Sequence, residues 1–184
     1  KTVNVMQLGA KLVLDIAEET HVLERALENT KSVQYKQHLN IRGCEIEKRV
    51  KDCHPDILQL SCHCTGDSFV VCSDQAKGYD SVSGGEFVRM FTRIKFSPKM
   101  IVLSCCNAEK IARELLKKTA VMAVIYASGE LKDAESILFV DQLYKGVFGG
   151  ETIKDAWEAA RSVARDFQLT ARDENSRNFR FYAY

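Results

Sequence analysis

Ala120-Val121-Met122-Ala123-Val124-Ile125-Tyr126 is the stretch on which the fold turns. A run this apolar and this short predicts a strand buried on both faces, as parallel sheets require. Upstream, residues 109–118 predict a helix with Ile111, Leu115 and Leu116 inward, and residues 100–104 an apolar strand before it. Downstream, residues 133–144 and 152–166 predict two helices separated by Gly146, Gly149 and Gly150. The N-terminal half repeats the alternation. Residues 3–8 predict a strand, and Asp15 opens a helix with Ile16, Val22, Leu23, Ala26 and Leu27 on one face. Residues 32–39 predict a part-exposed strand, 43–51 a helix closed by His54-Pro55, and 57–61 a third strand. Residues 69–72 predict an extended piece of a hairpin. Ser83 caps a helix carrying Phe87, Val88 and Phe91. Strand alternating with helix throughout predicts a mostly parallel sheet with helices on both faces.

The chain has 184 residues, 46% hydrophobic and 28% charged, which suits a folded domain with a substantial core. Its 26 Lys and Arg nearly cancel its 25 Asp and Glu. No overall charge therefore predicts direct nucleic-acid or membrane binding. The longest apolar runs are too short for a bilayer. With no internal repeat or linker, the expected organisation is one domain over residues 1–166. The tail, 167–184, is expected to pack on it or on a neighbouring domain, with Phe179, Phe181, Tyr182 and Tyr184 at period-2 spacing.

Seven cysteines, at 44, 53, 62, 64, 72, 105 and 106, are odd in number, and two are adjacent. Several sit in apolar strand-like runs. That spacing predicts reduced thiols in a cytoplasmic protein and not a secreted disulfide framework.

Two strands run into chemistry. Ile57-Leu58-Gln59-Leu60-Ser61 leads to Cys62-His63-Cys64, and Met100-Ile101-Val102-Leu103-Ser104 leads to Cys105-Cys106-Asn107. In an open parallel sheet, ligands bind beyond the carboxyl ends of the strands. If these strands are neighbours, a histidine and a cysteine share that edge. An imidazole that generates a thiolate and then protonates a leaving amine is the minimum for thiol acyl transfer. Alternation sends Cys62 and Cys64 one way and His63 the other, and likewise separates Cys105 from Cys106. Cys106 is expected just before a helix near Asn107, whose dipole favours a thiolate. The alternatives are inert core thiols and a structural histidine, or zinc. The spacing suits no zinc ribbon or knuckle, and alternation splits the ligands between faces. His21, His38 and His54 read as structural or solvated. Gly149-Gly150-Glu151-Thr152 lacks the lysine of a phosphate loop and reads as a helix–helix turn.

Taken together, these motifs resemble the CHAT peptidases, caspase-related domains often joined to tetratricopeptide repeats. Residues 54–63 resemble the strand bearing that family's histidine. Val82-Ser83-Gly84-Gly85-Glu86-Phe87 resembles the helix after its substrate loop. Ile101 through Glu109 resembles its nucleophile strand, with Cys106 at the cysteine position. Asp133, Phe139, Tyr144 and the turn before Ala156 resemble its closing helices. The resemblance implies a caspase-like, flavodoxin-like three-layer sandwich. It also implies a cysteine endopeptidase with a His63–Cys106 dyad, a protein or peptide substrate, and no cofactor or metal. A regulatory domain or partner is implied too, either tetratricopeptide repeats or an RNA-guided CRISPR effector. The backbone N–H groups of Cys64 and Cys106 are the implied oxyanion donors.

One position departs from the family, which has glycine directly after the histidine where this chain has Cys64. A cysteine keeps the N–H but not a glycine-only backbone conformation. The loss of one oxyanion donor typically costs about 10²–10³ in rate. Such a loss would leave an inactive caspase-like domain serving as an interaction module, the alternative function. Asp56, Asp67, Glu130 and Asp133 fall in segments that line the substrate pocket in caspase-like enzymes. Acidic lining there would favour Arg or Lys before the scissile bond. Asp56 also reads as a turn residue and Asp133 as a helix cap.

Overall fold

A computed structural model describes residues 2–10, 16–28, 30, 32–65, 67–74 and 78–181. The first half runs β1 (Val3–Gly9), α1 (Ile16–Leu27), β2 (Val33–Leu39), α2 (Gly43–Cys53) and β3 (Ile57–Ser61). A meander follows: β4 (His63–Thr65), β5 (Ser68–Asp74) and β6 (Gly78–Ser83). Then come α3 (Gly84–Ile94), β7 (Met100–Ser104), α4 (Glu109–Lys118) and β8 (Ala123–Ala127). The chain closes with α5 (Asp133–Phe148), α6 (Ile153–Arg161), β9 (Phe167–Ala171) and α7 (Glu174–Arg177).

The central sheet has the order β2-β1-β3-β7-β8-β9, parallel except for β9, which runs antiparallel to β8. β4, β5 and β6 form a separate antiparallel sheet. Strand alternation divides the core in two. Leu58, Leu60, Ile101 and Leu103 pack against α2, α3 and α4 through Ile46, Val50, Phe87, Phe91, Ile111 and Leu115. Ile57, Met100, Val102 and Ile125 pack against α1, α5 and α6 through Val22, Leu23, Phe139, Val140, Leu143 and Ala156. Three layers result.

Local chemistry sets the element ends. Ser83 Oγ accepts from the Glu86 N–H at 3.1 Å and caps α3. Ahead of Pro55, His54 adopts a left-handed conformation that stops α2 at Cys53.

Two expectations change. The strand expected at 120–126 starts later, because Met122 and Ala123 first bond to the Lys99 carbonyl. The helix expected over 152–166 ends at Arg161, and a strand follows it. Phe167, Leu169 and Ala171 carry the period-2 pattern of that strand; Phe167 is fully buried and stacks on Phe139 at 3.8 Å. The tail packs on this domain, one of the two places expected for it. Phe181 is buried in the second core, and the Phe179 carbonyl accepts from Ile153 N–H at 3.0 Å. The expectations for Asp15, Tyr182 and Tyr184 lie outside the described residues. Among the described residues, no helix is long and apolar enough to cross a membrane.

Candidate active site

β3 and β7 are direct neighbours, with Ser61 opposite Ser104 on the last rung of their ladder. One further bond, Cys62 N–H to the Ser104 carbonyl at 3.3 Å, extends the pairing. His63 and Cys106 each stand two residues beyond that rung. Adjacent strands lie about 4.8 Å apart, so the two residues leave the same edge of the sheet at neighbouring places.

Both side chains are half-buried. His63 lies between Cys62 and Cys64, which pack with the first core, so strand alternation directs it to the opposite side. Cys106 sulfur accepts from the Leu131 N–H at 3.3 Å, in the segment leading into α5.

The helix after Cys106 starts at Glu109, where its apolar spacing predicts it, and not near Asn107 beside the cysteine. Asn107 takes a left-handed φ of 53°, and its N–H bonds to the Gly129 carbonyl at 3.1 Å. Cys106 therefore sits in a tight turn after β7 and not at a helix N-terminus.

Cys64 belongs to the extended strand β4 and is absent from the non-glycine residues with positive φ. A Cβ is therefore accommodated there without a glycine-only conformation. Its thiol turns to Cys105 on the other side of the sheet. That hydrogen bond and burial together push the Cys64 thiol up. Burial first, then Cys62, pushes the Cys105 thiol up as well. Cys64 and Cys105 thus behave as packing thiols, and Cys62 is buried in the first core. Cys44, Cys53, Cys62, Cys64, Cys105 and Cys106 are free thiols. Among the described residues, no three His, Cys, Asp or Glu side chains are grouped to hold a metal ion.

The four acidic candidates do not converge. Asp56 lies at the opposite end of β3, bonded to Lys99 Nζ at 2.8 Å and to the Asn4 N–H at 3.1 Å. Asp67, in the β4–β5 turn, pairs with Lys110 at 2.7 Å. Asp133 is the first residue of α5, behind the N-cap Lys132, and is not itself the cap. Glu130 is exposed and adjoins Leu131, whose N–H meets Cys106.

A carboxylate that the sequence reading missed lies beneath the edge. Glu19 of α1 is buried and accepts from Gln7 Nε2 at 3.1 Å, Gln59 Nε2 at 3.3 Å and Ser61 Oγ. Burial pushes its carboxyl up, while the bonds from Ser61, Gln7 and Gln59 pull the other way. Ser136 approaches it from α5 without forming a well-aligned bond. The signal was helical phase: Glu19 lies three residues after Ile16 and four before Leu23, on the buried stripe of α1. Gln59, polar within a fully buried strand, was a second signal.

No family profile and no curated protein matches the chain. Solved structures do. The Arg-specific cysteine proteinase gingipain R matches over 95% of this chain and 43% of its own, at 10% identity and a TM-score of 0.60. Caspase-1 from Spodoptera frugiperda matches over 96% of this chain and 82% of its own, at 13% identity and a TM-score of 0.56. Raptor from Chaetomium thermophilum matches over 79% of this chain, at 14% identity and a TM-score of 0.55. This chain spans only 18% of Raptor. The fold shared with these proteins is the caspase-like, mostly parallel sandwich.

Proposed function

We propose that the chain is a cysteine endopeptidase acting through His63 and Cys106. The observation that carries this reading is the register of β3 and β7, which brings both residues beyond one rung of neighbouring strands. A fold held in common with cysteine proteinases supports it at the level of architecture.

In this reading, His63 takes the Cys106 proton as the sulfur attacks the carbonyl carbon of the substrate peptide bond. The tetrahedral oxyanion receives the N–H groups of Cys64 and Cys106. Collapse breaks the C–N bond; His63 returns its proton to the leaving amine, and a thioester remains on Cys106. Water, deprotonated by His63, then attacks the thioester and releases the carboxylic acid and the thiol. Every proton is handled by one imidazole, so the cycle uses no cofactor. The extended backbone of Cys64 favours this over a non-catalytic role, because it removes the conformational objection to a cysteine there. Glu130, exposed beside Leu131, is the one of the four acidic candidates proposed to favour a basic residue before the scissile bond. Control by a neighbouring domain or partner protein belongs to the same proposal.

The test is labelling with a peptidyl acyloxymethyl ketone carrying Arg or Lys next to the ketone, located by mass spectrometry. Adduct on Cys106 alone, absent in His63→Ala and Cys106→Ala, is the expected result. Adducts spread over several cysteines and indifferent to His63 would leave an interaction module as the better reading.

A further inference from the structure

Along most of their length, the central strands bury only apolar side chains against α1 and α5, among them Val5, Ile57, Met100 and Val102. The pattern breaks toward the carboxyl ends of three neighbouring strands. There Gln7 of β1, Gln59 and Ser61 of β3, and Ser104 of β7 are all buried to 1% exposure or less. Glu19 closes this polar island from α1, and Tyr144 joins it from α5.

The bonds form a lateral chain. Glu19 accepts from Gln7, Ser61 and Gln59 on one oxygen. Gln59 Nε2 also reaches Ser61 Oγ at 3.1 Å and Ser104 Oγ at 2.8 Å, while its own oxygen accepts from Tyr144 at 3.2 Å. Side chains thus tie β3 to β7 where the ladder ends, two residues before His63 on one strand and two before Cys106 on the other. A buried carboxylate and its donors are a poor route to stability, since well-packed apolar residues usually serve the fold equally or better. The network spans six elements, since Gln7 Oε1 also accepts from Tyr35 and Gln37 of β2, and its inner end lies under the dyad.

We propose that Glu19 is a positioning residue for the dyad, holding the ends of β3 and β7 through Ser61 and through Gln59 to Ser104. The inference rests on the peptidase reading. Misplacement of reacting groups by about 1 Å is enough to lower a rate on the order of a hundredfold.

The test compares wild type, Glu19→Leu, Glu19→Gln and Gln59→Met in their inactivation by the same peptidyl acyloxymethyl ketone. The limiting inactivation rate is separated from the half-saturating concentration, and melting temperature is followed in parallel. Glu19→Leu is expected to lower the limiting rate by about tenfold to a hundredfold. Half-saturation should hold, and Glu19→Gln, which keeps one acceptor oxygen, should recover most of the rate. The melting temperature of Glu19→Leu should fall, because Gln7, Ser61 and Gln59 lose their acceptor, so rates are compared well below it. Gln59→Met cuts the span to Ser104 and is expected to act like Glu19→Leu, so it decides the matter if Glu19→Leu does not fold. Unchanged limiting rates in folded variants, or losses confined to half-saturation, would overturn the positioning role while leaving the peptidase reading intact. Unfolding of both Glu19→Leu and Gln59→Met would overturn it in favour of a purely structural network. Wild type that takes no His63-dependent label at Cys106 would instead overturn the peptidase reading, and this inference with it.

Discussion

At the scale of single residues, side chains of the same type take different parts according to the face they leave. Cys105 and Cys106 are neighbours in sequence, yet one is a buried packing thiol and the other sits half-exposed against the Leu131 N–H. Glu18 and Glu19 differ in the same way: the first is exposed and the second buried in a hydrogen-bonded island. The Glu19 position has a consequence for pH. Its folded-state carboxyl holds its proton more tightly than an unfolded one, because burial disfavours the charge. The titratable groups facing it, Tyr35 from β2 and Tyr144 from α5, are also pushed up. Glu19 therefore contributes stability that is complete below the ordinary glutamate range and is lost as pH rises through its folded-state value. Chemical denaturation from about pH 4 to pH 8 should show a limb that falls with rising pH and flattens in Glu19→Gln. Parallel curves for the two proteins would count against it. The dyad candidates were legible because His63 and Cys106 follow strands that any period-based reading finds. Glu19 was harder: an Asp/Glu-rich first turn is common on helices, and only its phase relative to Ile16 and Leu23 marks it as buried.

Among the elements, boundaries follow packing more than local propensity. Helix α4 matches its sequence pattern at both ends, Glu109 and Lys118, since its apolar spacing and flanking turns agree. Helix α6 stops short of its pattern because β9 has a better place on the sheet, with Phe167 stacked against Phe139. The edge strand was the part of the fold the sequence disguised, a helical spacing running straight into a five-residue strand. Gly146 shows how closely α5 meets α6. A Cβ there would stand 2.8 Å from the Ala156 Cβ and 3.1 Å from its Cα. Gly146→Ala would gain about 1 kcal/mol of helix propensity. Overpacking against a neighbouring helix backbone costs about 1–3 kcal/mol. The expected result is a net loss of stability, read as a lower midpoint in urea with an unchanged slope, whereas a raised midpoint would mean that α6 moves freely.

For the whole molecule, residues 167–181 belong to the same sheet and core as the rest. β9 forms the antiparallel edge of the central sheet, and Phe181 returns to the core shared by α1, α5 and α6. Phe167→Ala removes a fully buried ring and should destabilise by about 3–5 kcal/mol, measured by chemical denaturation. A loss below about 1 kcal/mol would mean that the strand is dispensable to the core. The same three-layer arrangement puts β3 and β7 side by side at the centre, where a sheet's carboxyl edge offers a ligand site. The sequence carried the elements of this arrangement but not their spatial neighbours. Strand order comes from the right-handed crossovers of the whole chain, and no local motif encodes it.

The central claim is that His63 and Cys106 form one site. Its most direct measurement is competitive alkylation of the native protein at neutral pH by a small iodoacetamide reagent, with the seven cysteines resolved by mass spectrometry. Cys106 should react ahead of the other half-buried thiols, Cys53 and Cys64, and His63→Ala should slow Cys106 alone. A Cys106 rate indifferent to His63, or no faster than that of Cys53, would contradict it.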